Sequence, residues 1–251
     1  MSERYPVLKG AEPFYFEGNS VGILVSHGFT GSTQSMRPLG EAYAKAGYTV
    51  CGPRLKGHGT HYEEMEGTTY EDWTASVEEG YQWLSARCST IFVTGLSMGG
   101  TLTLYLAQKH PEIKAIIPIN AAIDIPTMAG AQQIQARFLD AIGSDIKNPA
   151  VTELAYEKTP VQSLKEINKL MALVKNSLSE ITCPALIFVS SVDNVVPPDN
   201  SKVIYEEISS RNKNLITLEN SYHVATLDHD QQQIIDETLH FIEKVLNQTA
   251  V

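Results

Sequence analysis

Residues 91–100 read Ile91-Phe92-Val93-Thr94-Gly95-Leu96-Ser97-Met98-Gly99-Gly100. An apolar run leads into Gly-x-Ser-x-Gly, and a helix-forming stretch follows at once. In that strand-to-helix context the serine must take a strained backbone conformation, and the glycines two residues to either side remove side chains that would collide with neighbouring chain. Such an elbow lifts the Ser97 hydroxyl out at the C-terminal edge of a sheet, above a helix N-terminus whose partial positive charge favours a developing oxyanion. No GK[ST] or G-x-G-x-x-G follows a strand, so the turn does not read as a phosphate-binding loop. Ser97 is the candidate nucleophile.

Outward from this elbow, short apolar runs alternate with amphipathic stretches. The pattern predicts buried strands over 21–26, 48–52, 90–95, 115–120, 185–190 and 214–219, with a more polar edge strand over 13–17. Helices are predicted over 35–45, 70–87, 98–110, 201–209 and 231–247, where apolar residues recur every three or four positions. Alternation of this kind signals an α/β fold, a mostly parallel sheet with helices on both faces. The length of 251 residues suits one such domain, residues 1–251. Roughly 60 residues separate Asn120 from Ala185, too many for one crossover helix. Residues 125–178 are therefore expected to form an inserted helical cap, with helical pieces near 131–139, 149–156 and 162–178.

A serine hydroxyl is a poor nucleophile until a base takes its proton, and that base needs a carboxylate to orient it. His223 stands between the last strand and the last helix, which puts it at the same sheet edge as Ser97; His229 and His240 lie in or near that helix and read as surface residues. Asp193 follows the strand over 185–190 and is the favoured acid, with Asp199 and Asp228 as alternatives; Asp199 also reads as a helix cap. Ser26-His27-Gly28-Phe29-Thr30-Gly31 follows an early strand, so the N–H of Phe29 can converge with that of Met98 on an oxyanion. His27 is expected to brace this turn. A second His-Gly pair, with His58 and His61 nearby, lacks zinc spacing and reads as loop structure.

Composition narrows the partners. With 19 basic and 29 acidic residues the formal net charge is −10, and no basic tract stands out, which disfavours nucleic acid and anionic membranes. No signal-type or membrane-spanning apolar run is present in the sequence, so a cytoplasmic protein is expected. Cys51, Cys88 and Cys183 are widely spaced and read as reduced packing residues. No metal or organic cofactor is implied.

Together these segments resemble the α/β-hydrolase superfamily: HGFTG before the first predicted helix, R-x-x-G-H-G in residues 54–59, GLSMGG at the elbow, then Asp193 and His223. Within it the chain is most similar to bacterial monoacylglycerol lipases and related carboxylesterases, through GLSMGGTLTLYLA, PALIFVS, VVPP and NSYHVATLD, over nearly its whole length. The resemblance implies the α/β-hydrolase fold with a small helical cap after strand 6 of the family's scheme, the one ending at Asn120. It implies a triad of Ser97, Asp193 and His223, with Phe29 and Met98 as oxyanion donors. It further implies that Glu153 hydrogen-bonds the glycerol head, that Ile142 narrows the pocket near the scissile bond, and that Asn120 is a weaker candidate for the same polar pocket.

Ile125, Met128, Ile134, Phe138, Leu139, Ile142, Leu170, Leu173 and Val174 are expected to face inward from the cap, about half of them lining an acyl channel. Each buried CH₂ of an acyl chain is worth about 0.8 kcal/mol, which favours lipid over acetate esters. The expected activity is hydrolysis of monoacylglycerols by a monomer or weak homodimer that touches micelles or membranes only transiently. A general carboxylesterase, an acyltransferase and a binding protein on the same fold are the alternatives.

Overall fold

In the computed structural model, which describes residues 3–248, the strands are β1 (Phe14–Phe16), β2 (Val21–Ser26), β3 (Thr49–Gly52), β4 (Thr90–Leu96), β5 (Ala115–Ile119), β6 (Phe138–Asp140), β7 (Lys158–Pro160), β8 (Ala185–Ser190) and β9 (Lys213–Leu218). The helices are α1 (Arg37–Lys45), α2 (Tyr62–Glu66), α3 (Tyr70–Ser85), α4 (Met98–Lys109), α5 (Val161–Lys175), α6 (Asp199–Glu207) and α7 (Gln231–Asn247). Seven strands form one sheet in the order β1-β3-β2-β4-β5-β8-β9. All pairings in it are parallel except that of the edge strand β1 with β3. This is the α/β-hydrolase fold.

The inner strands are apolar throughout because both faces of the sheet are covered, and successive side chains go to opposite layers. Leu24, Val93 and Ile187 join the core that contains Trp73 and Val77 of α3 and Leu102 of α4. Their neighbours Ile23, Phe92 and Phe188 join the other, with Leu39 and Tyr43 of α1 and Ile234, Phe241 and Ile242 of α7. Helix α4 lies under the sheet centre with residues 98–104 all buried, and so no charged residue occurs in it before Lys109.

The chain order reverses beside β2, which sits between β3 and β4. In such sheets the crevice at the C-terminal ends of the strands on either side of the reversal receives ligands. Ser26 at the end of β2 is paired with Gly95 near the end of β4. The loop that begins at His27 and the elbow at Ser97 therefore emerge side by side.

The insertion after β5, fifth in the chain although sixth in the family's scheme, is less helical than its sequence suggests. Residues 126–133 form a 3₁₀ helix, and the expected helix over 131–139 gives way to β6, paired antiparallel with β7. The expected helix over 149–156 does not form: a turn at 149–150 leads into chain without regular structure. Its backbone finds partners on the main sheet's loops instead: Gln34 brackets it through Thr152 O at 3.2 Å and Leu154 N at 3.0 Å, and Tyr156 N donates to Thr30 O at 3.0 Å. Only α5 is a full helix there. Conversely, α2 occupies a stretch for which no element is predicted, its first turn capped by His61 Nδ1, which accepts from Glu63 N at 3.2 Å. No helix among the described residues is long and apolar enough to cross a membrane.

Candidate active site

The elbow stores the strain its glycines imply. Ser97 has φ 58° and ψ −119°, a region that costs a non-glycine residue about 1–3 kcal/mol and persists where its surroundings enforce it. Enforcement comes from the Ser97 N–H, which donates to Ile119 O at 2.9 Å. It comes also from close approach: a Cβ on Gly95 would run into the Gly99 carbonyl, and one on Gly99 into that of Ser26. The Ser97 hydroxyl accepts or donates no hydrogen bond within the described residues, so it is free to turn toward a base or a substrate.

His223 lines the same cavity as Ser97. Its Nδ1 lies 2.7 Å from Asp193 Oδ2, with both side chains almost fully buried. The other carboxylate oxygen of Asp193 accepts from Val195 N at 2.9 Å and Val196 N at 2.7 Å, which holds the group in one orientation. The two alternative acids have other tasks. Asp199 is exposed and pairs with Lys202. Asp228 accepts the N–H groups of Lys147, Asn148, Tyr222 and His229.

Gly28 packs against the nucleophile so tightly that a Cβ there would lie 3.2 Å from Ser97 Cβ. The next residue is Phe29, and neither its N–H nor that of Met98 at the start of α4 has a hydrogen-bond partner among the described residues. Thr30 then takes φ 61°, an unusual conformation for a β-branched residue, with its hydroxyl on Phe29 O at 2.6 Å. His27 is fully buried; its Nε2 accepts from Leu55 N at 3.1 Å and its Nδ1 donates to Gly28 O at 3.0 Å, so the neutral ring spans the turn.

Burial holds the His27 pKa down at about 4, the Gly28 carbonyl acting weakly against it. The unfolded chain takes up this proton near pH 6.5, the native one only near 4. Stability is therefore present above pH 6.5 and lost as pH falls through this window, by about 3 kcal/mol from this group. Urea-unfolding midpoints measured from pH 7.5 to 4.5 are expected to fall steadily; a flat series would show that the ring is not kept neutral by the fold.

His58 and His61 do not form a shared site. His58 is buried against the rings of His27, Phe29 and Trp73. His61 stacks on Tyr5 at 4.3 Å and caps α2. No group of three or more His, Cys, Asp or Glu suited to a metal occurs among the described residues.

The insertion roofs a cavity of about 260 Å³ above Ser97 and His223. Ile125, Met128, Ile134, Leu139 and Ile142 line it. Of the other residues expected to face inward, Leu170 and Val174 lie in the core beneath, Phe138 packs on Tyr62, and Leu173 is exposed. Ile142 is 71% exposed, which puts it on the cavity rim.

Glu153 enters the same cavity from the segment bracketed by Gln34. Its Oε1 packs against Gly31, where a Cβ would approach to 2.7 Å, so only glycine leaves room for the carboxyl. Burial raises its pKa to about 7, partly offset by His223.

Asn120 has a different place from the polar pocket expected of it. It is buried, does not line the cavity, and its amide is engaged by Ser190 N, Ser190 Oγ and His223 O. At φ 44° its side chain turns back across the strand ends, where two chain segments offer it partners.

Four polar residues that hold the site together carry no sequence signal: Gln34, Asp145, Tyr156 and Asn200. Asn200 Oδ1 accepts from Ile123 N and Asp124 N, both at 2.7 Å, fastening the start of the insertion to α6. Tyr156 OH bridges Gly57 O and Thr60 N. Their partners lie tens of residues away, beyond the reach of any local pattern.

Comparison with known proteins gives a consistent picture. The Hydrolase_4 family, described as serine aminopeptidase, S33, matches residues 20–154 and 145–230. A thermostable monoacylglycerol lipase from a Bacillus species is 65% identical over 248 residues, covering 97% of this chain and 99% of that protein. A carboxylesterase from Bacillus subtilis is 32% identical over 239 residues, covering 93% and 97%. A solved structure from work on the metagenome-derived lipolytic enzymes LipS and LipT superposes with a TM-score of 0.93 at 50% identity, covering 95% of this chain and all of the other.

Proposed function

This chain belongs to the Hydrolase_4 family, described as serine aminopeptidase, S33, and from that premise we propose that it is a carboxylic ester hydrolase cleaving monoacylglycerols through an acyl-enzyme on Ser97. The observation that carries the reading is the cavity itself. Aliphatic side chains make up much of its wall, Ser97 and His223 line it from the main sheet's loops, and Glu153, buried against Gly31, brings a carboxyl to it from the insertion. An acyl chain suits the wall, and a polyol head suits the carboxyl. The two relatives named as a monoacylglycerol lipase and a carboxylesterase support an ester rather than a peptide substrate.

In this scheme Ser97 attacks the ester carbonyl while His223 Nε2 takes its proton, with Asp193 steadying the imidazolium that forms. The N–H groups of Phe29 and Met98 receive the oxyanion. His223 then protonates the departing alcohol, and water repeats the two steps on the acyl-enzyme to release the fatty acid. The scheme consumes only the lipid ester and water, and we further propose that it runs in a cytoplasmic monomer or weak homodimer whose insertion meets lipid aggregates transiently.

Glu153 separates this reading from that of a general esterase. A hydrogen bond to a charged group is worth about 1.5–3 kcal/mol. Glu153→Gln is thus expected to lower kcat/KM for a monoacylglycerol about tenfold or more while changing the methyl ester of the same acid less than threefold. With its pKa near 7, Glu153 is mostly protonated below neutrality and mostly ionised above it. The wild-type ratio of monoacylglycerol to methyl ester rates is expected to climb between pH 6 and 8 and to stay level in the Gln variant. Equal losses on both substrates would instead favour the general esterase.

A further inference from the structure

His223 is held by its main chain as well as by its ring. Its N–H donates to Asp145 Oδ2 at 3.1 Å, and its carbonyl accepts from Asn120 Nδ2 at 2.8 Å. Asp145 belongs to the insertion, yet its carboxylate also takes the Asn194 N–H at 3.0 Å and the Asn194 Nδ2 at 2.8 Å. Asn194 is the residue after Asp193. The Asp145 carbonyl in turn accepts from Val224 N at 3.0 Å. One aspartate thereby joins the insertion, the loop of the acid and the loop of the base.

We propose that Asp145 is a positioning residue, which keeps His223 and Asp193 in register with Ser97 only while the insertion is seated; this rests on the triad reading above. Charge-assisted bonds from N–H groups to a carboxylate are stronger and more directional than neutral ones. Three of them converge here on the loop of the acid and the loop of the base, which share no backbone ladder beyond their strands. Displacement of a reacting group by about 1 Å costs on the order of 10²-fold in rate. An insertion that lifts to admit substrate would carry Asp145 with it and relax the pair, so that the site becomes competent on closing.

The test uses the full chain, a short soluble ester such as p-nitrophenyl butyrate, and the rate at which a fluorophosphonate labels Ser97. Asp145→Ala is expected to lower kcat and the labelling rate about 10²-fold with KM changed less than threefold. Asp145→Asn is expected to recover activity to within about fivefold of wild type, because its carbonyl can accept both main-chain N–H groups while its amide meets that of Asn194 turned over. Asp145→Glu keeps the charge but moves it by one methylene, and is expected to lose kcat at least tenfold; this pair carries the comparison if the alanine variant does not fold. A kcat within threefold of wild type in Asp145→Ala or Asp145→Glu would overturn the proposal. So would an Asn variant as impaired as the Ala variant. Ser97→Ala is measured alongside: if it still hydrolyses the ester, it is the underlying triad reading that fails.

Discussion

Ser97→Ala is expected to lower kcat on any ester by roughly 10⁵- to 10⁶-fold and to abolish fluorophosphonate labelling, leaving the background that binding and oxyanion contacts alone provide. The size follows from the absence of a substitute. Among the described residues Ser97 is the one serine that lines the cavity with His223. Adding His223→Ala on top of Ser97→Ala is expected to cost almost nothing further, since residues that act as one unit are not additive. Thermal unfolding is expected to shift only slightly, and upward if the strained backbone relaxes. A Ser97→Ala protein that kept more than about 1% of wild-type kcat, measured free of contaminating esterase, would remove Ser97 from the mechanism.

Asp193→Asn is expected to reduce kcat about 10⁴-fold while leaving KM and folding nearly unchanged. The reason lies in how the carboxylate is held. Oδ1 accepts two backbone N–H groups, from Val195 and Val196, and Oδ2 faces His223 Nδ1. An asparagine can satisfy those N–H groups only with its carbonyl oxygen, which turns its NH₂ toward the imidazole. Nδ1 must then accept a hydrogen bond, the ring proton moves to Nε2, and the ring can no longer take the serine's proton. A rate loss below tenfold, or an acid limb of the kcat/KM profile identical to that of wild type, would argue that the pair does not work through the tautomer.

The parts of the site that were legible in the sequence share one property: each is announced by residues adjacent in the chain. Gly95-Leu96-Ser97-Met98-Gly99 declares its elbow because glycine is needed where backbones touch. His27-Gly28-Phe29 declares a tight turn after a strand. Asp193 and His223 follow strands that must be parallel if helices intervene, and parallel strands send their C-terminal loops to one edge. From order alone, then, four separate segments could be assigned to one place.

The sequence was less informative about the insertion. The stretch over 149–156 has helical spacing but forms no helix, because Gln34 and Thr30 supply its backbone with partners that no neighbour in the chain could foretell. Asn120 was open to reading as a substrate contact, and the fold uses it to hold the carbonyl of His223. A single carboxylate in residues 140–155 reads as surface charge. Only the folded chain seats Glu153 against Gly31, where burial lifts its pKa, and Asp145 against Asn194 and His223, where it accepts three N–H groups. Sequence by itself determined the sheet, its helices and the segments that meet at its edge, since periodicity and glycine sterics are local. Tertiary structure decided what covers that edge and which polar groups fasten it, since those bonds join residues 49 to 126 positions apart and depend on geometry that no local pattern encodes.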